Sequence, residues 1–268
     1  MKRITRKVMW PNAAALSSAL LLIFVLGSPP GATAGEAEAK GLLKAMSDYL
    51  DAQKAISFAY DSNLEVVTKQ HQKLLLASSG KIELGRPEKI RVTRTGGFAD
   101  VEMVFDGKTL TVLGKNLNLY TQVDVPGTVE HLVDELREKL DKPIPGADLL
   151  LPHVFDELMA DVVDVKDLGS GVIGGTECDH LAFRNKDVDW QIWIAQGEHP
   201  YPCRYVVTAV GVDLAPQYSI QIRDWKTSAD VAAGDFAFNN TTGAKKAGLT
   251  ELKDIDELPA HFAVGGKK

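Results

Sequence analysis

The clearest structural signal in the chain lies in the sequence Val101-Glu102-Met103-Val104-Phe105-Asp106-Gly107-Lys108-Thr109-Leu110-Thr111-Val112. Apolar side chains alternate with others before and after Asp106-Gly107, a dipeptide typical of a two-residue β-turn. Because side chains alternate between the two faces of a strand, Met103 and Phe105 face one way and Val104 the other. The stretch therefore predicts a β-hairpin with one apolar face.

The same alternation recurs on both sides of this hairpin. The further predicted strands cover residues 56–60, 71–76, 81–84, 90–94, 119–125, 162–165, 178–184, 188–195, 203–212 and 218–225. Ser79-Gly80 is interpreted as a turn between two of them, because glycine favours turns. The short connections predict an antiparallel meander, since parallel strands need long crossovers.

Three segments change to the helical period, in which apolar residues recur at every third or fourth position. They cover residues 36–54, 129–140 and 148–160. Thr128 is a natural N-cap for the second, and the third is expected to start or restart near Pro152. Many strands with few helices indicate a mainly β protein of the α+β type. We predict a strongly curved antiparallel sheet with the helices lying across its concave face.

Residues 1–34 have the order of a secretory signal peptide. A basic start and an apolar run at 13–26 precede the small residues Ala32-Thr33-Ala34. A retained membrane anchor is the alternative, but a run of about 14 apolar residues is shorter than the ~20 that span a bilayer. We predict cleavage after Ala34 and a periplasmic protein with no integral membrane span.

The chain that follows is long enough to bury a substantial core. We predict a single domain over residues 35–240 and a loosely attached C-terminal tail over 241–268, with a candidate helix at 249–258. The whole chain has a formal net charge of −6, and loss of the basic signal peptide makes the mature protein more acidic. An acidic, exported protein is a poor candidate for nucleic-acid binding.

The two cysteines, Cys178 and Cys203, lie in the exported part of the chain. A disulfide is the default in an oxidising compartment, whereas strict alternation places the two sulfurs on opposite faces, with one strand between them. Because both cysteines sit at strand ends, a bulge or bend would bring them together. Two free thiols are one alternative, and a metal site with His180 and His199 is the other. We predict the disulfide, with no metal and no cofactor.

Two stretches resemble a known superfamily. Residues 80–92 (GKIELGRPEKIRV) are similar to the strand–proline–strand signature of the LolA/LolB lipoprotein carriers, and residues 104–110 to the hairpin that follows it there. Residues 178–184 (CDHLAFR), 189–194 (DWQIWI) and 215–218 (APQY) resemble a family of predicted periplasmic proteins of unknown function in that superfamily. The resemblance spans about residues 40 to 240. It implies an incomplete β-barrel, helices over its open side and an apolar cavity for acyl chains.

The candidate site is a set of apolar side chains on the predicted inner face, and no catalytic residue is assigned, because no hydrolase elbow, zinc-protease or phosphate-binding motif occurs. A carrier or sensor of a lipid, an acyl chain or a lipidated envelope protein is therefore predicted, not an enzyme. The alternative is an envelope protein-interaction module whose core is filled by its own side chains. The predicted lining residues are Phe58, Met103, Phe105, Leu110, Val112, Trp190, Ile192, Ile194, Tyr205, Ile220 and Ile222.

Overall fold

Twelve strands form one sheet in the part of the chain that the computed structural model describes, which is residues 32–97, 99–140, 146–227, 231 and 236–248. The sheet does not close on itself, so the predicted incomplete barrel is confirmed. Most of the predicted signal peptide and the candidate helix at 249–258 lie outside the described residues.

The strands follow one another around the sheet, and the two longest strands lie side by side at its centre. They are β1 (Ala55–Val67), β2 (Lys73–Gly85), β3 (Lys89–Gly96), β4 (Asp100–Phe105), β5 (Thr109–Gly114), β6 (Leu119–Asp124), β7 (Asp164–Ile173), β8 (Thr176–Arg184), β9 (Val188–Ala195), β10 (Pro202–Ala209), β11 (Gln217–Lys226) and β12 (Lys245–Lys246). Their order is β12-β6-β5-β4-β3-β2-β1-β11-β10-β9-β8-β7. Neighbouring strands are antiparallel except β12, which pairs in parallel with β6.

Helices cover one face of this sheet. They are α1 (Ala32–Asp51), α2 (Val129–Leu140), a 3-10 helix (Ala147–Leu150) and α3 (Val154–Met159). Their apolar side chains join those of alternate strand residues in one large buried cluster. We call this the inner face and the opposite one the outer face. Helices form in all three predicted segments, with α2 at its predicted bounds and a break within the third segment.

The predicted hairpin forms between β4 and β5. One carboxylate oxygen of Asp106 accepts hydrogen bonds from the backbone N–H groups of Lys108 and Thr109, at 2.9 and 2.8 Å. The Thr109 bond lowers the pKa of Asp106 despite its partial burial. Gly107 has φ +94°, a left-handed conformation that glycine adopts at little cost. The turn chemistry therefore agrees with the sequence signal.

The predicted turn at Ser79-Gly80 is wrong, because β2 runs without interruption from Lys73 to Gly85. Gly80 serves a different purpose. The ring of Tyr60 on β1 lies across it, and a Cβ at position 80 would be 2.6 Å from the Tyr60 hydroxyl oxygen. A glycine within a strand marks a close approach of another group as well as a turn.

The predicted helix at 148–160 is divided at Pro152. Leu151 has an extended backbone with ψ 162°, the conformation that a following proline favours, and His153 is left-handed with φ 57°. The 3-10 helix therefore ends before this break and α3 begins after it. Ser47 of α1 accepts a 3.0 Å hydrogen bond from the backbone N–H of Phe155, which fixes α3 against α1.

Residues 236–238 lie against the outer face of β4, β5 and β6. Phe236 is buried there, and the ring of Phe238 packs on Tyr120 with centroids 5.0 Å apart. The first residues of the predicted tail contribute β12, which joins the sheet edge at β6. The boundary between domain and tail stays a prediction.

Candidate ligand-binding face

The predicted lining residues all belong to the buried cluster of the inner face or pack against it. Strand register explains this, because directly paired residues point to the same side of a sheet. Phe58 pairs with Ile82, which pairs with Val92, and Val92 pairs with Met103. The fold therefore brings together predicted lining residues from six strands, as the alternation predicts.

One half of the inner face is tightly packed with aromatic side chains. Trp190 stacks on Phe183 with ring centroids 3.9 Å apart, and its Nε1 donates a 3.2 Å hydrogen bond to Asn185. Tyr205 packs against Trp190 at 5.9 Å, and burial raises its pKa. Ile192 and Ile194 are almost wholly buried beside them. This half of the face is core.

The other half is less completely covered. Met103 and Val112 are only half-buried, as is their neighbour Val92, although the adjacent row Ile90, Phe105 and Leu110 is buried. Val92 pairs directly with Met103 and Met103 with Val112, so the three form a continuous line across β3, β4 and β5. We call Val92, Met103 and Val112 the apolar strip. Water therefore reaches an apolar part of the inner face at this strip.

Arg86 joins the covering 3-10 helix to the sheet, and the sequence analysis did not identify it. Its guanidinium donates hydrogen bonds to the carbonyl oxygens of Leu150 and Leu151, at 3.1 and 3.3 Å, and pairs with Asp51 at 3.4 Å. Asp51 also accepts the backbone N–H of His153 at 3.0 Å. Burial lowers the pKa of Arg86, an effect that Asp51 opposes. We call Arg86 and Asp51 the clasp, because they join the β2–β3 turn, α1 and the 3-10 helix.

Replacing Arg86 with methionine is expected to loosen this cover and to cost about 1–3 kcal/mol, because two buried carbonyls lose charged donors. Hydrogen exchange should become faster in residues 147–159 and stay slow in β8 to β10. Arg184→Met is the matched control, because Arg184 makes an exposed ion pair with Asp189 that touches no covering helix. Unchanged exchange in residues 147–159 of the Arg86 variant would show that the clasp does not hold the cover.

The two cysteines lie together on the outer face, in a small buried cluster with Ala195. Strict alternation would put Cys203 on the inner face. A register shift between Pro202 and Arg204 makes Cys203 the extra residue of a β-bulge, which turns its side chain outward. Both cysteines are free thiols in the structure, and each donates to a backbone carbonyl oxygen, Cys178 to Thr176 at 3.4 Å and Cys203 to Tyr201 at 3.9 Å. The disulfide therefore stays a prediction.

His180, a residue of the alternative metal site, contacts Gln191 and Trp193. Its Nε2 lies 2.9 Å from Gln191 Oε1, and its ring stacks on Trp193 at 3.9 Å. Within the described residues, no three His, Cys, Asp or Glu side chains are grouped to hold a metal ion. None of the helices in the described ranges is both long and apolar enough to cross a membrane.

Sequence comparison identifies the family. The profile of the predicted periplasmic proteins called DUF2092 matches residues 39–250, most of the chain. The chain therefore belongs to the DUF2092 family, and the resemblance predicted from residues 178–218 is confirmed. No curated protein sequence is significantly similar to it.

Several solved structures are similar in the path of the chain. Lipoprotein LppX of Mycobacterium tuberculosis is 11% identical, with a TM-score of 0.38, and the match covers 71% of this chain and 96% of LppX. LprF of Mycobacterium bovis is 12% identical, with a TM-score of 0.42 and coverage of 78% and 99%. A LolA superfamily protein of Nitrosomonas europaea is 13% identical, with a TM-score of 0.33 and coverage of 74% and 99%.

Proposed function

We propose that this protein binds an apolar ligand on its inner face and acts as a carrier or sensor after export, without catalysing a reaction. The ligand is an acyl chain, a lipid or the lipid group of an envelope protein. The observation that carries the proposal is the apolar strip, a line of half-buried side chains beside a fully buried row. Each ligand methylene that leaves water on such a surface contributes about 0.8 kcal/mol.

Ligand entry requires the cover to move, because nine of the eleven predicted lining residues are already buried by the protein itself. The covering elements nearest the clasp are short, and hydrogen bonds from one guanidinium hold the 3-10 helix. Displacing the 3-10 helix would uncover part of the buried inner face on β10 and β11, because Gly146 lies next to Ile220 and Asp148 lies near Tyr205. In this mechanism the strip receives the ligand first and the clasp limits how far it penetrates.

A second candidate function is an envelope protein-interaction module with a filled core, and the same nine buried residues favour it. Four exposed leucines and one exposed valine near three hairpin ends offer contact surface: Leu64, Leu75, Leu117, Val210 and Leu214. Native mass spectrometry of protein purified from the periplasm separates the two candidates. Co-purifying lipid supports the carrier, whereas lipid-free protein that retains a bound partner supports the interaction module.

Replacing Met103 with aspartate is expected to weaken binding of a fluorescent fatty acid at least tenfold while the protein stays folded. Met103 is half-buried on the apolar strip, so its charged replacement keeps contact with water but repels apolar ligand. Titration by fluorescence, with circular dichroism to check folding, measures both quantities.

The control is Leu75→Asp, because Leu75 is 62% exposed and pairs with Glu65 on the outer face. It should bind the probe like the unmodified protein. If a folded Met103→Asp variant binds the probe as well as the unmodified protein does, the apolar strip is not part of the binding site. The variant Val112→Asp repeats the test at the neighbouring strip residue.

A further inference from the structure

A polar cluster adjoins the apolar strip on the inner face. Arg94 lies two residues after Val92 on β3, so alternation places both side chains on the same side of the sheet. Arg94 pairs with Gly80 on β2 and with Val101 on β4. Gly80 is two residues from Ile82 of the core, and Val101 is two residues from Met103 of the strip. The Cα of Arg94 therefore lies ~7 Å along the strand from the Cα of Val92, at a rise of ~3.3 Å per residue.

Tyrosine and serine hydroxyls lie on β2, β1 and β11, the three strands that follow β3 on one side of Arg94. The Tyr60 ring crosses Gly80, and its hydroxyl donates a 3.0 Å hydrogen bond to the carbonyl oxygen of Thr93, the residue before Arg94. Ser62, two residues further along β1, shares a 2.8 Å hydrogen bond with Ser78. Tyr218 of β11 interacts with Ser62. Along β3, the inner face therefore changes from apolar at Val92 to polar at Arg94.

Electrostatics show that the charge of Arg94 reaches this cluster. Burial raises the pKa of Tyr60 to about 12, and Arg94 acts in the opposite direction. Burial also raises the pKa of Tyr218, again opposed by Ser62 and Arg94. A cation that stabilises the anionic form of two separate hydroxyls would stabilise a bound anion at the same place, where partial burial strengthens the attraction.

We infer that the ligand is an anionic amphiphile whose carboxylate or phosphate headgroup binds at Arg94, beside the hydroxyls of Ser62 and Tyr218, while its chain lies on the apolar strip. The inference rests on the proposed function and adds the headgroup chemistry. Arginine suits this role, because its planar guanidinium donates paired hydrogen bonds to carboxylate or phosphate oxygens. An uncharged lipid of equal chain length would use the strip but not Arg94.

Three probes of one chain length test the inference on the mature protein: dodecanoate, dodecyl phosphate and 1-dodecanol. For the unmodified protein we expect the two anions to bind about tenfold more tightly than the alcohol. Arg94→Gln should remove this preference, weakening the anions about tenfold and the alcohol less than twofold, and Arg94→Lys should restore part of it. Isothermal titration calorimetry measures all three affinities.

Lys81→Gln is the matched control. Lys81 lies on the neighbouring strand and pairs with Thr93, the residue before Arg94. It is exposed on the outer face, and the variant loses the same charge. Equal affinity of the unmodified protein for the alcohol and the anions would overturn the inference but leave the proposed function intact. Equal weakening of all three probes by Arg94→Gln would also overturn it, because that pattern indicates a structural role. If no probe binds, the proposed function itself fails.

Discussion

Replacing Trp190 with alanine is expected to lower the free energy of unfolding by about 3–5 kcal/mol, the range for removing a large aromatic side chain from a core. Trp190 is 3% exposed and stacks on Phe183, so its removal leaves a cavity that few neighbours can fill. The loss of its hydrogen bond leaves Asn185 without that donor. Urea denaturation followed by far-ultraviolet circular dichroism measures the change.

Trp193→Ala is the control for this prediction, because Trp193 lies three residues away on the same strand and faces outward. It is only half-buried, stacked on His180 and beneath the guanidinium of Arg204 at 5.6 Å. We expect its removal to cost about 1–2 kcal/mol, since less area returns to water. Equal losses in the two variants would mean that the inner face contributes no more to stability than the outer face does.

The alternation of the sequence correctly predicts which side chains share a face. It places Trp190 and Met103 together on the inner face, and both belong there. It does not predict that one is core and the other half-exposed, because that difference depends on where the helices cover the sheet. Helix placement is set by contacts between distant residues, such as Ser47 with Phe155. A periodic pattern contains no information about such contacts.

Two predictions were wrong or missing because a single residue contacts partners that are distant in the sequence. Gly80 has the composition of a turn, yet it admits the Tyr60 ring within a strand. Arg86 precedes a proline and resembles a loop residue, yet the fold brings Asp51 and Leu150 to it from opposite directions along the chain. In both cases the deciding partner lies more than 15 residues away, beyond the reach of local pattern.

The cysteines show how one extra residue in a strand changes a prediction that is based on strict alternation of side chains. The bulge at Cys203 moves its side chain from the inner to the outer face, where Cys178 and the small side chain of Ala195 lie. Burial raises the pKa of both thiols, so little of the reactive thiolate forms in the folded protein. Oxidation should therefore take place while β10 is still joining the sheet, and folded protein that is still reduced should react slowly with alkylating reagents.

Cys178 and Cys203 are expected to form a disulfide in exported protein and to raise the free energy of unfolding by ~3 kcal/mol, because the bond restricts the unfolded chain over a loop of about 26 residues. Two thiols lose two protons and two electrons, which an exchanging disulfide of the oxidising compartment accepts. Oxidised protein should melt about 6–12 °C above the same protein after reduction, at ~2–4 °C per kcal/mol for a chain of this size.

Intact mass after alkylation of denatured protein, with and without prior reduction, measures the bond directly. We expect no alkylated thiol before reduction and two after it. Cys178→Ala and Cys203→Ala should each leave one reactive thiol, and each should melt like the reduced protein, which separates the bond from the packing of either side chain. Because the cysteine cluster lies on the outer face, oxidation should leave fatty-acid binding unchanged. Two alkylated thiols in the unreduced protein would show that Cys178 and Cys203 remain free after export.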